Sequence, residues 1–82
     1  MEVRITKKAS KELNKIPNTF SKKILEQLLD LDENPFPINS KKLSGQENYR
    51  IRVGMYRAIY FIDRAKKQIR ILRIRHRKDV YR

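Results

Sequence analysis

Two stretches in the second half of the chain alternate between apolar and polar side chains. Tyr49–Val53 and Tyr56–Ile62 are rich in aromatic and β-branched residues, and with this alternation they predict two β-strands. Gly54 and Met55 lie between them. A two-residue loop that begins with glycine is typical of a type II′ turn, because its first position needs a positive φ. The pattern therefore predicts a tight β-hairpin.

The tight turn decides which side chains of the hairpin share a face. Val53 is predicted to pair with Tyr56, and directly paired residues project to the same side of a sheet. One face is apolar and is expected to pack on the core. This face carries Tyr49, Ile51, Val53, Tyr56, Ala58, Tyr60 and Ile62. The opposite face carries Arg50, Arg52, Arg57, Ile59 and Phe61.

The second face holds three arginines and no acidic residue, and Arg52 is predicted to lie directly opposite Arg57. Like charges in such a pair destabilise a hairpin. One interpretation is a solvated face in a basic protein. The other is a site for a ligand with closely spaced negative charges. Phosphate is the first candidate ligand, because a guanidinium group presents a planar fork of donors that matches it.

The N-terminal part of the chain predicts a strand followed by two helices. Glu2–Thr6 is the strand, and Thr6 can cap a helix that begins at Lys7 and has a narrow apolar stripe. Pro17 ends this helix or begins the next. Apolar positions at helical spacing predict a second helix over Asn18–Leu31. Its stripe comprises Phe20, Ile24, Leu28 and Leu31, and is widened by Leu25 and Leu29.

The remaining segments complete an α+β fold. Two prolines within residues 32–37 forbid regular helix there, so a loop that includes Lys41 and Lys42 leads into the hairpin. After a turn, a last strand is predicted over Gln68–Arg75. The order β-α-α-β-β-β predicts a single domain over residues 1–82. A helical hairpin is expected to pack on one face of a small, mainly antiparallel sheet.

The register of the last strand decides which of its residues join the arginine face. If Ile62 pairs with Ile69, Arg57 is opposite Ile74. His76 is then expected on the same face as the arginines of the hairpin. A slip of one residue would move every side chain of this strand to the other face.

Composition narrows the class of partner. The 82 residues include 21 Lys and Arg and 9 Asp and Glu, which gives a net charge of +12. This charge favours an anionic partner such as nucleic acid, an acidic protein or a membrane surface. Nucleic acid comes first, because the basic residues lie on strand-rich sequence that contains aromatics. With no cysteine, one histidine and two glycines, neither a metal nor another cofactor is expected. No signal peptide or membrane span is predicted, which suggests a cytoplasmic protein.

Metal-free cleavage of RNA is a chemistry that these residues could support. The 2′-hydroxyl of RNA is the nucleophile, arginines can stabilise the charge that develops on the phosphate, and histidine or tyrosine can transfer protons. His76, Arg77 and Tyr81 lie close together near the end of the chain. The simpler interpretations are that His76 is an exposed residue at a strand end and that Tyr81 packs a tail.

Four motifs of the chain are distinctive in combination: Leu43-Ser44-Gly45, the stretch from Tyr49 to Gly54, the stretch from Tyr56 to Tyr60, and the stretch from His76 to Tyr81. Together they resemble the RelE branch of the RelE/ParE toxin superfamily. The resemblance implies a toxin of a type II toxin–antitoxin pair that cleaves mRNA in the ribosomal A site without metal. It also implies a cognate acidic antitoxin, and operator DNA as a partner of the toxin–antitoxin complex only.

The resemblance also assigns roles to individual residues. The implied catalytic residues are Arg52, Arg57, Arg77 and Tyr81, with His76 as a candidate acid or base. Arg50, Lys41 and Lys42 are the candidate RNA-binding residues. Well-known members have lysine where this chain has Arg50 and Arg52, and arginine does not lose its proton, so both are expected to stabilise charge. Two alternatives stay open: a ParE-like inhibitor of DNA gyrase, and an inactive module that binds antitoxin and operator DNA.

Overall fold

The computed structural model describes residues 1–43 and 47–80, with Asp79 and Val80 described by their backbone alone. In chain order its elements are β1 (Glu2–Ile5), α1 (Lys7–Asn14), α2 (Asn18–Leu29), a 3₁₀ turn (Asp30–Asp32), β2 (Ser40–Lys42), β3 (Asn48–Val53), β4 (Tyr56–Asp63), β5 (Gln68–His76) and α3 (Arg77–Val80). The strands form one sheet in the order β1-β5-β4-β3-β2. Strand β1 is parallel to β5, and the other pairs are antiparallel.

Two helices on a mixed five-stranded sheet confirm the predicted α+β class. The core joins residues of α1, α2 and the 3₁₀ turn to the apolar side of the sheet. It contains Ala9, Ile24, Leu28, Leu31, Tyr49, Ile51, Val53, Ala58, Tyr60, Ile62, Ile69, Ile71 and Ile74. Six of the seven residues predicted for the apolar face of the hairpin are buried, and Tyr56 packs against them half-buried. In the part of the chain that the structure describes, no helix is long and apolar enough to cross a membrane.

The predicted hairpin and helix cap are both confirmed. Val53 pairs with Tyr56 and Arg52 with Arg57, and Gly54 has a φ of 60°. Thr6 caps α1, because its hydroxyl oxygen accepts a hydrogen bond from the backbone of Ala9 at 3.2 Å. Each of these features depends on neighbours in sequence, which is why the sequence alone specified them.

The predicted second helix was too long and its apolar stripe too wide. The α-helix ends at Leu29, and a 3₁₀ turn carries the chain to Asp32. Leu25 and Leu29 are 36% and 50% exposed, and Phe20 is 44% exposed. A helix that lies on a sheet buries one stripe of its surface, and Ile24 with Leu28 fills that contact here.

Lys41 and Lys42 were predicted to lie in a loop, but the structure places them on the edge strand β2. Lys41 pairs with Arg50, and Lys42 with Tyr49. The strand has three residues, two of them lysines, so it shows none of the apolar alternation that identified the hairpin. Its pairing with β3 therefore has no signal in the local sequence.

The register of β4 and β5 follows the prediction at one end and departs from it at the other. Ile62 pairs with Ile69 as predicted. An irregularity between Ile59 and Tyr60 then shifts the register, so that Arg57 is opposite Arg75 rather than Ile74. By the same shift His76 pairs with Tyr56, and its predicted position on the arginine face is wrong. A β-bulge adds one residue to one strand, and a prediction by constant register cannot anticipate it.

Replacing Gly54 with alanine is expected to destabilise the fold by about 1–2 kcal/mol, the cost of a Cβ at positive φ. A Cβ at Gly54 would have no atom within 4 Å, so backbone strain is the whole effect. Urea unfolding measures the change in the free energy of unfolding. Met55→Ala, at the exposed second turn position, is the control and should change it by less than about 0.5 kcal/mol. Equal losses in the two variants would contradict the assignment of strain to Gly54.

Candidate functional site

Three of the predicted catalytic residues surround one pocket at the turn end of the hairpin. Arg52, Arg57 and Arg77 line it together with Gly54 and Tyr56, and its volume is about 270 Å³. We refer to it as the arginine pocket. None of the described residues that line it is acidic. Three guanidinium groups around one open space form a site suited to an anion with several oxygens.

The arginines reach this pocket from three elements. Arg52 lies on β3 directly opposite Arg57 on β4, one pair away from the turn. Arg77 begins α3, and its backbone nitrogen donates a hydrogen bond of 2.8 Å to the carbonyl oxygen of Met55. The start of α3 is thus tied to the turn that borders the pocket. Arg52 and Arg77 are exposed, whereas Arg57 is half-buried.

The backbone of Arg52 is held by the segment before β2. The Arg52 nitrogen donates to the carbonyl oxygen of Asn39 at 3.1 Å. The side-chain amide of Asn39 donates in return to the Arg52 carbonyl at 2.7 Å and to Gln27 Oε1 on α2 at 2.9 Å. These bonds fix the main chain of β3 beneath the pocket and leave the Arg52 side chain in solvent.

A second basic cleft adjoins the arginine pocket and shares Arg52 with it. This cleft has a volume of about 360 Å³, and its lining includes Lys41 and Arg50, which are direct cross-strand neighbours. The structure thus brings two of the three predicted RNA-binding residues next to the pocket. Lys42 pairs with Tyr49 and lies on the opposite face of the sheet.

Four acidic side chains of the described residues pair with arginines that do not line the arginine pocket. The ion pairs are Glu2–Arg4, Glu47–Arg64, Asp63–Arg70 and Glu12–Arg73, with N···O distances of 2.6, 3.4, 2.5 and 3.0 Å. The hydrogen bond from the backbone of Lys66 and the weaker effect of the one from Arg70 together lower the pKa of Asp63 below its ordinary value. None of these ion-paired residues lines the arginine pocket.

His76 is not part of the arginine pocket. Its ring lies edge-on to Tyr56, with the ring centroids 5.3 Å apart, and it lines a separate cleft of about 330 Å³ with Glu12 and Arg75. Its Nδ1 accepts a hydrogen bond of 3.2 Å from the backbone of Lys78.

Sequence reasoning missed two residues of this region and named one that lies beyond the described part of the chain. Tyr56, assigned to the core face, also lines the arginine pocket, and its ring lies between Phe20 and His76. Arg75 was missed because its position opposite Arg57 depends on the shifted register. Tyr81 falls outside the described residues, as do Ser44 and Gly45 of the first motif.

Comparisons with known proteins agree over nearly the whole chain. A family model described as ParE toxin of type II toxin-antitoxin system, parDE, matches residues 3–81. Toxin RelG of Mycobacterium tuberculosis is 33% identical over 84 aligned positions, which cover 98% of this chain and 94% of that protein. Putative toxin RelE1 of Methanocaldococcus jannaschii is 32% identical, with coverage of 98% and 93%. The archaeal RelE–RelB complex from Pyrococcus horikoshii includes a chain that superimposes with a TM-score of 0.82, at 33% identity and 93% coverage of each chain.

Proposed function

This chain belongs to the ParE toxin family of type II toxin–antitoxin systems, and we propose that its arginine pocket cleaves messenger RNA on the ribosome. It is a toxin of the RelE type, since the relatives above 30% identity bear the names RelG and RelE1. The observation that carries the proposed activity is the convergence of Arg52, Arg57 and Arg77 on one pocket. A pocket lined by cations and bordered by an aromatic ring supports binding of a phosphodiester within a nucleotide chain.

The proposed reaction uses a nucleophile that the RNA itself supplies. The 2′-oxygen attacks the adjacent phosphorus and loses its proton, and the bond from phosphorus to the 5′-oxygen breaks. The products are a 2′,3′-cyclic phosphate and a 5′-hydroxyl that has taken up a proton. Negative charge grows on the non-bridging oxygens in the transition state, and fixed guanidinium groups stabilise it there.

The arginines of the pocket stabilise charge and do not transfer protons, because a guanidinium group keeps its proton at any pH that leaves the fold intact. Of the predicted proton-transfer residues, His76 lies outside the pocket with its Nδ1 engaged by Lys78. We therefore assign proton transfer to Tyr81 or to a group of the ribosome. Tyr56 lines the pocket, which supports a contact between its ring and the nucleotide.

In this proposal the ribosome positions the RNA substrate at the arginine pocket. Arg52 and Arg77 are exposed, and the pocket is open to solvent, so it holds a phosphate without holding the flexible RNA around it. Correct placement of the reacting groups supplies a large part of a catalytic rate. The cleft that contains Lys41 and Arg50 supports a path for the RNA next to the scissile phosphate. Lys42, on the other face, is a candidate for contacts outside this path.

A cognate antitoxin is the proposed protein partner. The similar structure from Pyrococcus horikoshii is a RelE–RelB complex. A net charge of +12 favours fast association with an acidic protein, and an antitoxin that covers the arginine pocket would inhibit cleavage directly. We further propose that operator DNA is bound only by the toxin–antitoxin complex, and that the toxin acts in the cytoplasm, where mRNA is translated.

Primer extension on a reporter mRNA during induction of the wild-type toxin tests the proposal. We expect new 5′ ends within the translated region, in register with the reading frame, and none in an untranslated copy whose start codon is removed. Growth arrest with broken chromosomal DNA and intact message would contradict it and support the gyrase-inhibitor alternative. Absence of any arrest would support the inactive binding module.

A further inference from the structure

The shift in register at Leu72 sets the position of Arg77. From Asp63 to Tyr60 strand β4 pairs with β5 in constant register, and Leu72 is then passed over without a partner. The shifted ladder continues beyond the last strand pair as the hydrogen bond of 2.8 Å from Arg77 to the Met55 carbonyl. If β5 were not shifted, a residue other than Arg77 would lie opposite Met55. Arg77 would then not begin α3 beside the turn of the hairpin. The composition of the arginine pocket thus depends on the bulge.

The shift begins where β5 loses its strand neighbour on the other side. Strand β1 pairs with β5 as far as Ile5 and Ile71. Thr6 closes this pairing, since its backbone nitrogen and its hydroxyl donate to the Ile71 carbonyl at 3.1 and 2.8 Å. Beyond this point no strand among the described residues pairs with that edge of β5. Helix α1, which follows Thr6, packs against β5.

The carboxylate of Glu12, from α1, binds the two residues that follow the bulge. Its Oε1 accepts a hydrogen bond of 3.0 Å from the backbone of Ile74. The guanidinium of Arg73 lies against both oxygens, with Nε at 3.2 Å from each and Nη2 at 3.0 Å from Oε2. A side-chain acceptor thus occupies the place that a carbonyl of a neighbouring strand would take. The bond to Ile74 can form only when that nitrogen points to this edge, which the shifted register determines.

Glu12 is held in its charged form. Desolvation by burial raises its pKa, but the hydrogen bonds from Arg73 and Ile74 more than offset this, so that the net pKa lies below the ordinary value. The side chains of Glu12 and Arg73 are 23% and 32% exposed, and charge-assisted hydrogen bonds between partly buried groups are stronger than exposed ion pairs.

We propose that Glu12 is a positioning residue, which holds β5 in its bulged register and thereby places Arg77 in the arginine pocket. It does not line that pocket, and it acts through β5. The consequence for RNA cleavage rests on the proposed function. The consequence for β5 concerns the protein alone and is measured without RNA.

The test compares Glu12→Gln with Glu26→Gln, which removes the same charge from an exposed position on α2. Glutamine keeps an oxygen for Ile74 but turns a neutral amide towards Arg73. We expect hydrogen exchange at the amides of Ile74 and Arg77 to quicken at least tenfold, while exchange at Ile69, in the unshifted part of β5, is unchanged. Glu26→Gln should match wild type. Unchanged exchange at Arg77, or equal acceleration along all of β5, would overturn the proposal.

RNA cleavage on programmed ribosomes gives the second readout. Misplacement of a charged group in a site costs up to about 100-fold in rate. We therefore expect the maximal rate to fall about tenfold in Glu12→Gln, with the concentration for half-maximal rate changed less than about twofold. In an Arg77→Ala background the same substitution should add less than about a threefold loss, because both act through one side chain. A full additional tenfold loss would overturn the proposal, whereas absent cleavage in wild type would contradict the proposed function and leave the exchange comparison decisive.

Discussion

Arg57→Ala is expected to lower the rate of mRNA cleavage by about 10²–10³-fold, the usual cost of removing one fixed group that stabilises transition-state charge. Arg57 is the half-buried member of the pocket, between Arg52 on β3 and Arg75 on β5. Its Nε is buried, so its guanidinium is the least solvated of the three, and its backbone is paired with both neighbouring strands. A charge held in place in a partly dehydrated site stabilises an oxyanion more than one that moves freely in water.

The fold is expected to survive this substitution. Like charges directly opposite on paired strands destabilise a sheet, so loss of Arg57 relieves repulsion from Arg52 and Arg75. Far-UV circular dichroism and urea unfolding measure this directly. Arg57→Lys keeps the charge without the bidentate fork, and an intermediate rate is expected for it.

Arg64→Ala is the matched control for Arg57→Ala, because it removes the same side chain from an exposed position whose ion-pair distance to Glu47 is 3.4 Å. Cleavage by this variant should stay within about twofold of wild type, because Arg64 does not line the arginine pocket. Its exposed ion pair contributes little to the free energy of unfolding. Cleavage and growth arrest that persist in a folded Arg57→Ala variant would remove the arginine pocket from the mechanism.

The largest effect on stability is expected at Tyr60. Tyr60→Ala should lower the free energy of unfolding by about 3–5 kcal/mol, as for other large-to-small changes in a core. The side chain is fully buried, its ring stacks on Tyr49 with centroids 5.6 Å apart, and its hydroxyl donates to the Pro35 carbonyl at 2.7 Å. Burial raises the pKa of this phenol, which keeps its proton in place as the donor. The total free energy of unfolding of a small domain is about 5–15 kcal/mol, so this loss would bring the variant close to unfolding.

Urea unfolding of three variants separates the contributions to this loss. Tyr60→Phe keeps the ring and leaves the Pro35 carbonyl without its donor, and about 1 kcal/mol is expected for it. Phe61→Ala removes a half-buried ring from the next position of β4 and should cost less than Tyr60→Ala. Equal losses at the two positions would mean that the core does not centre on Tyr60.

The sequence predicted those parts of the fold that depend on nearby residues. The turn at Gly54 needs only its own φ, and the register between Arg52 and Arg57 follows from the length of that turn. The cap at Thr6 likewise involves a residue three positions away. Because the hairpin was correct, the positions of Arg52 and Arg57 on one face were correct as well.

The parts that the sequence did not predict depend on distant contacts. The bulge at Leu72 is accompanied by hydrogen bonds that Arg73 and Ile74 donate to Glu12, a residue far away in sequence. Its effect was to exchange the faces expected for Arg75 and His76. The edge strand that contains Lys41 exists only through its pairing with β3. The approach of Arg77 to the pocket depends on the same bulge, so the register predicted for β5 could not locate it. The roles of Tyr81 and His76 stay predictions.

The order of strands in the sheet has a consequence for the biosynthesis of the protein. Strand β5 is synthesised after the other four strands, yet it lies between β1 and β4 and is the element that joins them. A nascent chain that ends before β5 has an unpaired β1, an incomplete core and no Arg77. Such long-range pairing also folds slowly compared with local structure. The arginine pocket can therefore assemble only after β5 and Arg77 have been synthesised and have paired with strands made earlier.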